Sequence, residues 1–174
     1  GLIGLMLAAQ PKTPIRRLIL NDVGPLVPKA ALERIGSYVG QDPHFPDIAG
    51  VEAYLRRVHA PFGPLSGAEW AHLARWSARA EPGGGYGLAY DPAIARAFSD
   101  IVSDIDLWPL WDRVQCPVLI IRGGQSDLLP RETAEEMLVR KPGTMLVEFP
   151  ECGHAPALFD PAQIAAVSDW LAHT

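Results

Sequence analysis

Two residues in the last third of the chain have the types and settings for proton-transfer chemistry, Asp127 and His154. Asp127 stands in Gly123-Gly124-Gln125-Ser126-Asp127-Leu128-Leu129-Pro130, directly after the apolar run Pro117-Val118-Leu119-Ile120-Ile121. A short apolar run bounded by turn residues reads as a buried parallel strand, and catalytic groups collect at the carboxyl edge of such sheets. His154 stands in Glu151-Cys152-Gly153-His154-Ala155-Pro156, after the next apolar run, Met145-Leu146-Val147-Glu148-Phe149. An Asp and a His at the ends of adjacent parallel strands are in position to hydrogen-bond. A carboxylate that orients an imidazole is the supporting half of a nucleophilic triad. Such a His takes a proton from the nucleophile and later delivers it. Taken singly, each residue has a plainer explanation, because Asp closes turns and caps helices and a loop His is ordinarily a surface residue. The two segments together carry the catalytic expectation.

The remaining candidates are weaker. Cys152 lies only two residues from His154, a spacing that makes a productive nucleophile–base pair unworkable, so a structural role is expected. His44, His59, His72 and His173 show no ligand spacing with one another or with carboxylates, so no metal site is expected. Trp70, Trp76, Phe62, Tyr86, Trp108 and Trp111 are expected as core residues, with some facing an apolar substrate cavity.

These residues need elements to hold them. The chain opens on Gly1-Leu-Ile-Gly-Leu-Met-Leu-Ala-Ala9, which reads as the interior of a helix with no N-cap and no polar first turn. Gly1, Gly4 and Ala8 recur at helical spacing, so one face can press closely on a sheet. Leu18-Ile19-Leu20 then reads as a strand leaving through the turn Asn21-Asp22-Val23-Gly24-Pro25. Pro130 to Arg140 predicts a helix with acidic residues early and Arg140 late, matching the helix dipole. Asp160 and Pro161 open a final helix, with Ile164, Val167 and Leu171 as the expected buried stripe. The order strand, helix, strand, helix implies right-handed crossovers and a parallel sheet, hence an α/β fold.

The stretch 26–113 breaks that rhythm. It offers helix signals at Val51–His59, at the capping box Ser66-Gly67-Ala68-Glu69, and at Asp91-Pro92 with Ile94, Phe98 and Ile101 on one face. No convincing strand is visible in it, and Gly83-Gly84-Gly85 marks a loop tip. The expected organisation is therefore a core start at 1–25, a helical lid at 26–113 that covers the sheet, and a carboxyl-terminal core at 114–174.

Composition excludes several function classes. Of 174 residues, 48% are hydrophobic and 20% charged, which describes a globular chain with a real core. The net charge of −5 and the lack of a basic block argue against nucleic acid or an anionic membrane surface as partner. Two cysteines without a CxxC pair fit a reducing, cytoplasmic location.

The Gly-Gln-Ser-Asp loop, the Gly153-His154-Ala155-Pro156 loop and the amphipathic final helix together resemble the carboxyl half of the α/β-hydrolase superfamily. The opening helix looks like that family's helix after the nucleophile elbow. Arg17-Leu18-Ile19-Leu20-Asn21-Asp22-Val23-Gly24-Pro25 is similar to its next strand, just before the lid. The resemblance implies a partial α/β-hydrolase fold with Asp127 as the acid and His154 as the base. Asp22 is the other choice for the acid, because some members take it from the end of that strand. It also implies no cofactor and a small apolar or carbonyl-containing substrate. The family's G-x-S-x-G elbow is absent from these 174 residues. The nucleophile is thus expected upstream of Gly1, which would make this chain a fragment that is inactive alone. It would self-associate or pair with an amino-terminal half. A serine nucleophile implies an ester or lactone hydrolase, and an aspartate implies a dehalogenase or epoxide hydrolase. A stand-alone binding protein for an apolar ligand or a partner is the non-enzymatic alternative.

Overall fold

The computed structural model describes every residue except Asp100, which belongs to the expected lid stretch. The elements, in chain order, begin with helix α1 (Leu2–Ala8), strand β1 (Leu18–Asn21), strand β2 (Leu26–Val27) and helix α2 (Lys29–Gly36). Helix α3 (Ile48–Val58), a 3-10 turn (Ala60–Phe62), helix α4 (Gly67–Ser77), strands β3 (Ala78–Ala80) and β4 (Tyr86–Leu88), and a 3-10 helix (Pro92–Phe98) follow. The chain closes with β5 (Ile105–Asp106), α5 (Trp108–Trp111), β6 (Val118–Gly123), α6 (Arg131–Arg140), β7 (Met145–Phe149) and α7 (Pro161–His173).

The three long strands form one parallel sheet in the order β1-β6-β7, with Leu18 opposite Val118 and Leu119 opposite Met145. β6 lies in the middle, and all six of its residues are buried. Burial on both faces explains its unbroken apolar run, since a strand covered on both sides has no reason to alternate. Val118, Leu119, Ile120 and Ile121 are wholly shielded, each worth about 1.5–3 kcal/mol of transfer free energy. α1 packs on β1, with Leu5 and Ala8 buried and Ile3, Met6 and Leu7 exposed.

Contacts divide the chain into two compact units. One comprises Gly1–Ala31, Pro61–Gly63 and Val102–Thr174, and the other Leu32–Ala60 and Pro64–Ile101. The first holds the parallel sheet and the short antiparallel pair β2–β5. The second has its own core of Phe45, Val51, Leu55, Trp70, Ala74 and Leu88, and the antiparallel pair β3–β4. The capping box at Ser66 and Glu69 forms as the sequence predicts.

Three local expectations are corrected. Among the described residues, the stretch 26–113 contains four strands, each of only two or three residues, too short to leave a readable alternation. The segment opened by Asp91 winds as a 3-10 helix that ends at Phe98. At three residues per turn Ile94 is turned outward, 52% exposed, and Ile101 lies beyond the element. On α7 the buried residues are Gln163 and Trp170, while Ile164 and Leu171 are exposed. Gln163 is buried with both ends of its amide used. Its Oε1 accepts from the Leu158 N–H at 2.7 Å and its Nε2 donates to Cys152 Sγ at 3.5 Å.

Candidate active site

The site is built at the carboxyl edge of the parallel sheet. β1 continues one residue past its assigned end, where the Asp22 N–H donates to the Ile121 carbonyl at 2.7 Å. Asp22 itself then adopts φ 56°, in the left-handed region that Asp tolerates better than most residues. That turn sends its side chain back over the sheet edge, where it is wholly buried.

Three donors converge on this carboxylate. Oδ1 accepts from the Gly123 N–H at 2.8 Å. Oδ2 accepts from the Ser126 hydroxyl at 2.5 Å and lies 2.9 Å from His154 Nδ1. The same Nδ1 is 3.1 Å from the Asp22 carbonyl oxygen. The imidazole is about one-quarter exposed, against none for its carboxylate partner. One end of the ring is thus fixed to protein, which leaves Nε2 to exchange a proton with a reacting group.

Each supporting loop is tied down. Ser126 Oγ accepts from the Leu128 and Leu129 N–H groups, both at 3.1 Å, so its own proton goes to Asp22. Arg122, a buried cation within β6, donates from Nε to the Leu129 carbonyl at 2.8 Å and from NH1 to Glu148. The loops after β6 and β7 are stitched together by Gln125 N–H to the Cys152 carbonyl and Gly124 N–H to the Phe149 carbonyl, each at 2.8 Å. Asn21 Nδ2 reaches the Pro156 carbonyl at 3.0 Å, joining β1 to the His154 loop. Glycine is required where these backbones meet. A Cβ on Gly123 would stand 2.2 Å from the Gly153 oxygen, and one on Gly124 would stand 2.7 Å from Pro150 Cα.

The residues singled out from sequence fall as follows. His154 lies at the sheet edge with a carboxylate on Nδ1, and that carboxylate is Asp22. Asp127, the sequence's first choice for the acid, is exposed in the loop between β6 and α6. Ser126 has a role that sequence gave no hint of, since its value depends on a hydroxyl reaching a residue 104 positions away. Asp22 carried one usable signal, a charged residue between an apolar strand and a Gly-Pro turn. Cys152 is buried, and its thiol is pushed up by that burial and next by the Glu151 charge, with the Gln163 bond a smaller opposing effect. A thiol held protonated is a poor nucleophile. Trp76 lines an apolar cavity of about 370 Å³ within the second unit, together with Tyr38, Tyr54 and Tyr90. Among the described residues no group of three or more His, Cys, Asp or Glu is arranged to hold a metal ion. No helix among them is long and apolar enough to cross a membrane.

The family model described as "Alpha/beta hydrolase family" matches residues 1–167. The 3-hydroxybutyrate-oligomer hydrolase of Cupriavidus necator is 42% identical over 176 residues, covering 95% of this chain and 59% of that protein. The pimeloyl-[acyl-carrier protein] methyl ester esterase of Aromatoleum aromaticum is 36% identical over 76 residues, 44% of this chain and 30% of that protein. The solved structure of an alpha/beta hydrolase from Novosphingobium aromaticivorans matches with a TM-score of 0.87 and 35% identity, over 99% of this chain and 62% of that one. The chain therefore spans about three-fifths of the length of the relatives it matches along most of its own.

Proposed function

This chain belongs to the alpha/beta hydrolase family, and we propose that it supplies the base and the carboxylates of an ester hydrolase whose nucleophile lies outside residues 1–174. The observation that carries this reading is His154 at the sheet edge, its Nδ1 held by a buried carboxylate. In this reading His154 Nε2 takes the proton of an attacking serine and returns it to the leaving alcohol, while an acyl-enzyme forms and is resolved by water. Asp127 enters as an acid by family resemblance. The substrate proposed is an ester of a short hydroxy acid, in line with the relative that hydrolyses 3-hydroxybutyrate oligomers.

The test uses the longer protein that contains this chain, assayed on 3-hydroxybutyrate oligomers and on p-nitrophenyl butyrate. His154→Ala is expected to lower kcat on the order of 10³-fold or more with little change in KM. The 174-residue chain alone is expected to show no His154-dependent turnover. Equal rates with and without His154 sink the proposal. An aspartate in the upstream elbow overturns the serine step and makes His154 the base for a water instead.

A further inference from the structure

We propose that the cavity of about 370 Å³ in the second unit binds a monocarboxylate carried on a flat apolar body. Among the described residues, every one that lines it belongs to that unit, and none is Asp or Glu. The site therefore shares no residue with the edge that carries Asp22 and His154, and it stands or falls apart from the hydrolase reading.

Size and walls are those of a small-molecule site. The volume exceeds the ~150 Å³ apolar cavity that holds a benzene and falls in the range of about 300–1,000 Å³ typical of ligand pockets. Tyr38, Tyr54 and Trp76 supply ring surface, and Leu88 joins the cavity to the unit's own core. Trp76 and Ile94 are exposed, so the space opens to solvent. Two of the rings are fixed by neighbours: Tyr54 packs edge-on to Phe45 at 5.5 Å between centroids, and Tyr38 meets His59 edge-on at 6.2 Å. A slot with preset walls loses little entropy when a flat ligand enters.

Aromatic walls suggest a cationic ligand first, and the charges decide against one. Arg57 already stacks over the Tyr54 ring at 5.4 Å and Arg75 over the Trp76 ring at 5.6 Å, so the ring quadrupoles are engaged. Neither guanidinium has an ion pair among the described residues. A cationic ligand would meet two like charges and no lining acid, whereas an anion would meet two uncompensated cations.

The phenols supply the donor for the head group. Tyr90 is committed to the protein, since its hydroxyl donates to the Gln41 carbonyl at 2.7 Å and accepts from the Gly40 N–H at 3.1 Å. The Tyr54 hydroxyl has no such bond among the described residues. Burial, and next the Tyr90 phenol, hold it above its ordinary value against a smaller pull from Arg57, so it keeps its proton. A phenol that must donate, on a ring already covered by a cation, calls for an anionic oxygen, because a charge-assisted hydrogen bond is about twice as strong as a neutral one.

The experiment is titration calorimetry of 2-naphthoate into the longer protein that contains this chain. Its methyl ester and a naphthylmethyl trimethylammonium ion serve as the neutral and cationic counterparts. The carboxylate is expected to bind, the ester about 10-fold more weakly and the cation not at all. Tyr54→Phe is expected to weaken the carboxylate about 10-fold. Arg57→Gln/Arg75→Gln is expected to weaken it and to flatten its dependence on salt. Ala89→Trp, at an exposed position on the cavity wall, is expected to abolish binding. The ligand series and Tyr54→Phe need no folded Ala89 variant, so misfolding there does not remove the test. His154→Ala is expected to leave the affinity as it is. No binding of 2-naphthoate, equal affinity for the ester or the cation, or wild-type affinity in Tyr54→Phe or in a folded Ala89→Trp overturns the proposal. Affinity lost with His154 instead places the ligand at the sheet edge and also overturns it, while the hydrolase reading stands.

Discussion

Cys152 shows how closely the residues beside His154 are committed to structure. Its Sγ lies 2.6 Å from where a Cβ on Gly63 would sit, and Gln163 bonds it from α7. Burial raises its thiol, and Cys116 is also raised by burial, offset in part by Lys141. A raised acid holds its proton longer in the folded state, so the native chain binds more protons than the unfolded one. Both thiols therefore add stability below their ordinary range, which is lost as pH climbs through the folded values. Alkylation by iodoacetamide at pH 8 is expected to be much slower in the native chain than in urea, with the gap narrowing above pH 9. Equal rates at pH 8, followed by intact mass, would contradict the burial described here. At this scale the sequence singled out His154 and ranked Asp127 ahead of Asp22 because its strand neighbours that of His154. What it hid was the backbone turn at Asp22, since a φ of 56° leaves no mark in a string of residue types.

At the scale of elements, loop and strand are one mechanical piece. The edge of β6 closes on the loop after β7 with no room for a side chain at Gly123. Gly123→Ala is expected to destabilise the chain by roughly 1–3 kcal/mol through overpacking against backbone. A urea midpoint unchanged from wild type would show that the loops are free to part. β6 was readable because burial on both faces dictates its composition, and β1 and β7 because each is a short apolar run closed by turn residues. The four short strands were not, because ladders of two or three residues leave no alternation to read, and β2 and β5 find each other only across a long stretch of sequence. The stripe on α7 failed for a further reason: helical periodicity names apolar residues, whereas the buried face here includes Gln163, an amide that satisfies two partners.

At the scale of the whole molecule, the division into units is coarser in sequence than in space. Residues 26–31 and 102–113 fell in the expected lid stretch, yet β2 and β5 pair with each other inside the sheet-bearing unit. Only that long-range pairing reveals it. β1 borders the sheet, and α1 beside it exposes Ile3 at 75% and Met6 at 51%. An unpaired strand edge next to an apolar helix face favours association. Sedimentation velocity of the chain is expected to show concentration-dependent self-association, reduced in Ile3→Lys/Met6→Lys. A monomer at every concentration would remove this expectation.

The placement of β6 between β1 and β7 also sets a timetable. Leu18 pairs with Val118, so β1 leaves the ribosome about a hundred residues before its partner. At about 5–20 residues per second, β6 emerges on the order of 5–20 s after the strand it pairs with. Asp22 and His154, 132 positions apart, are held within hydrogen-bond distance by loops at the edge of the assembled β1-β6-β7 sheet. The contact between His154 and Asp22 is thus a property of the assembled three-stranded sheet and of no shorter stretch within it.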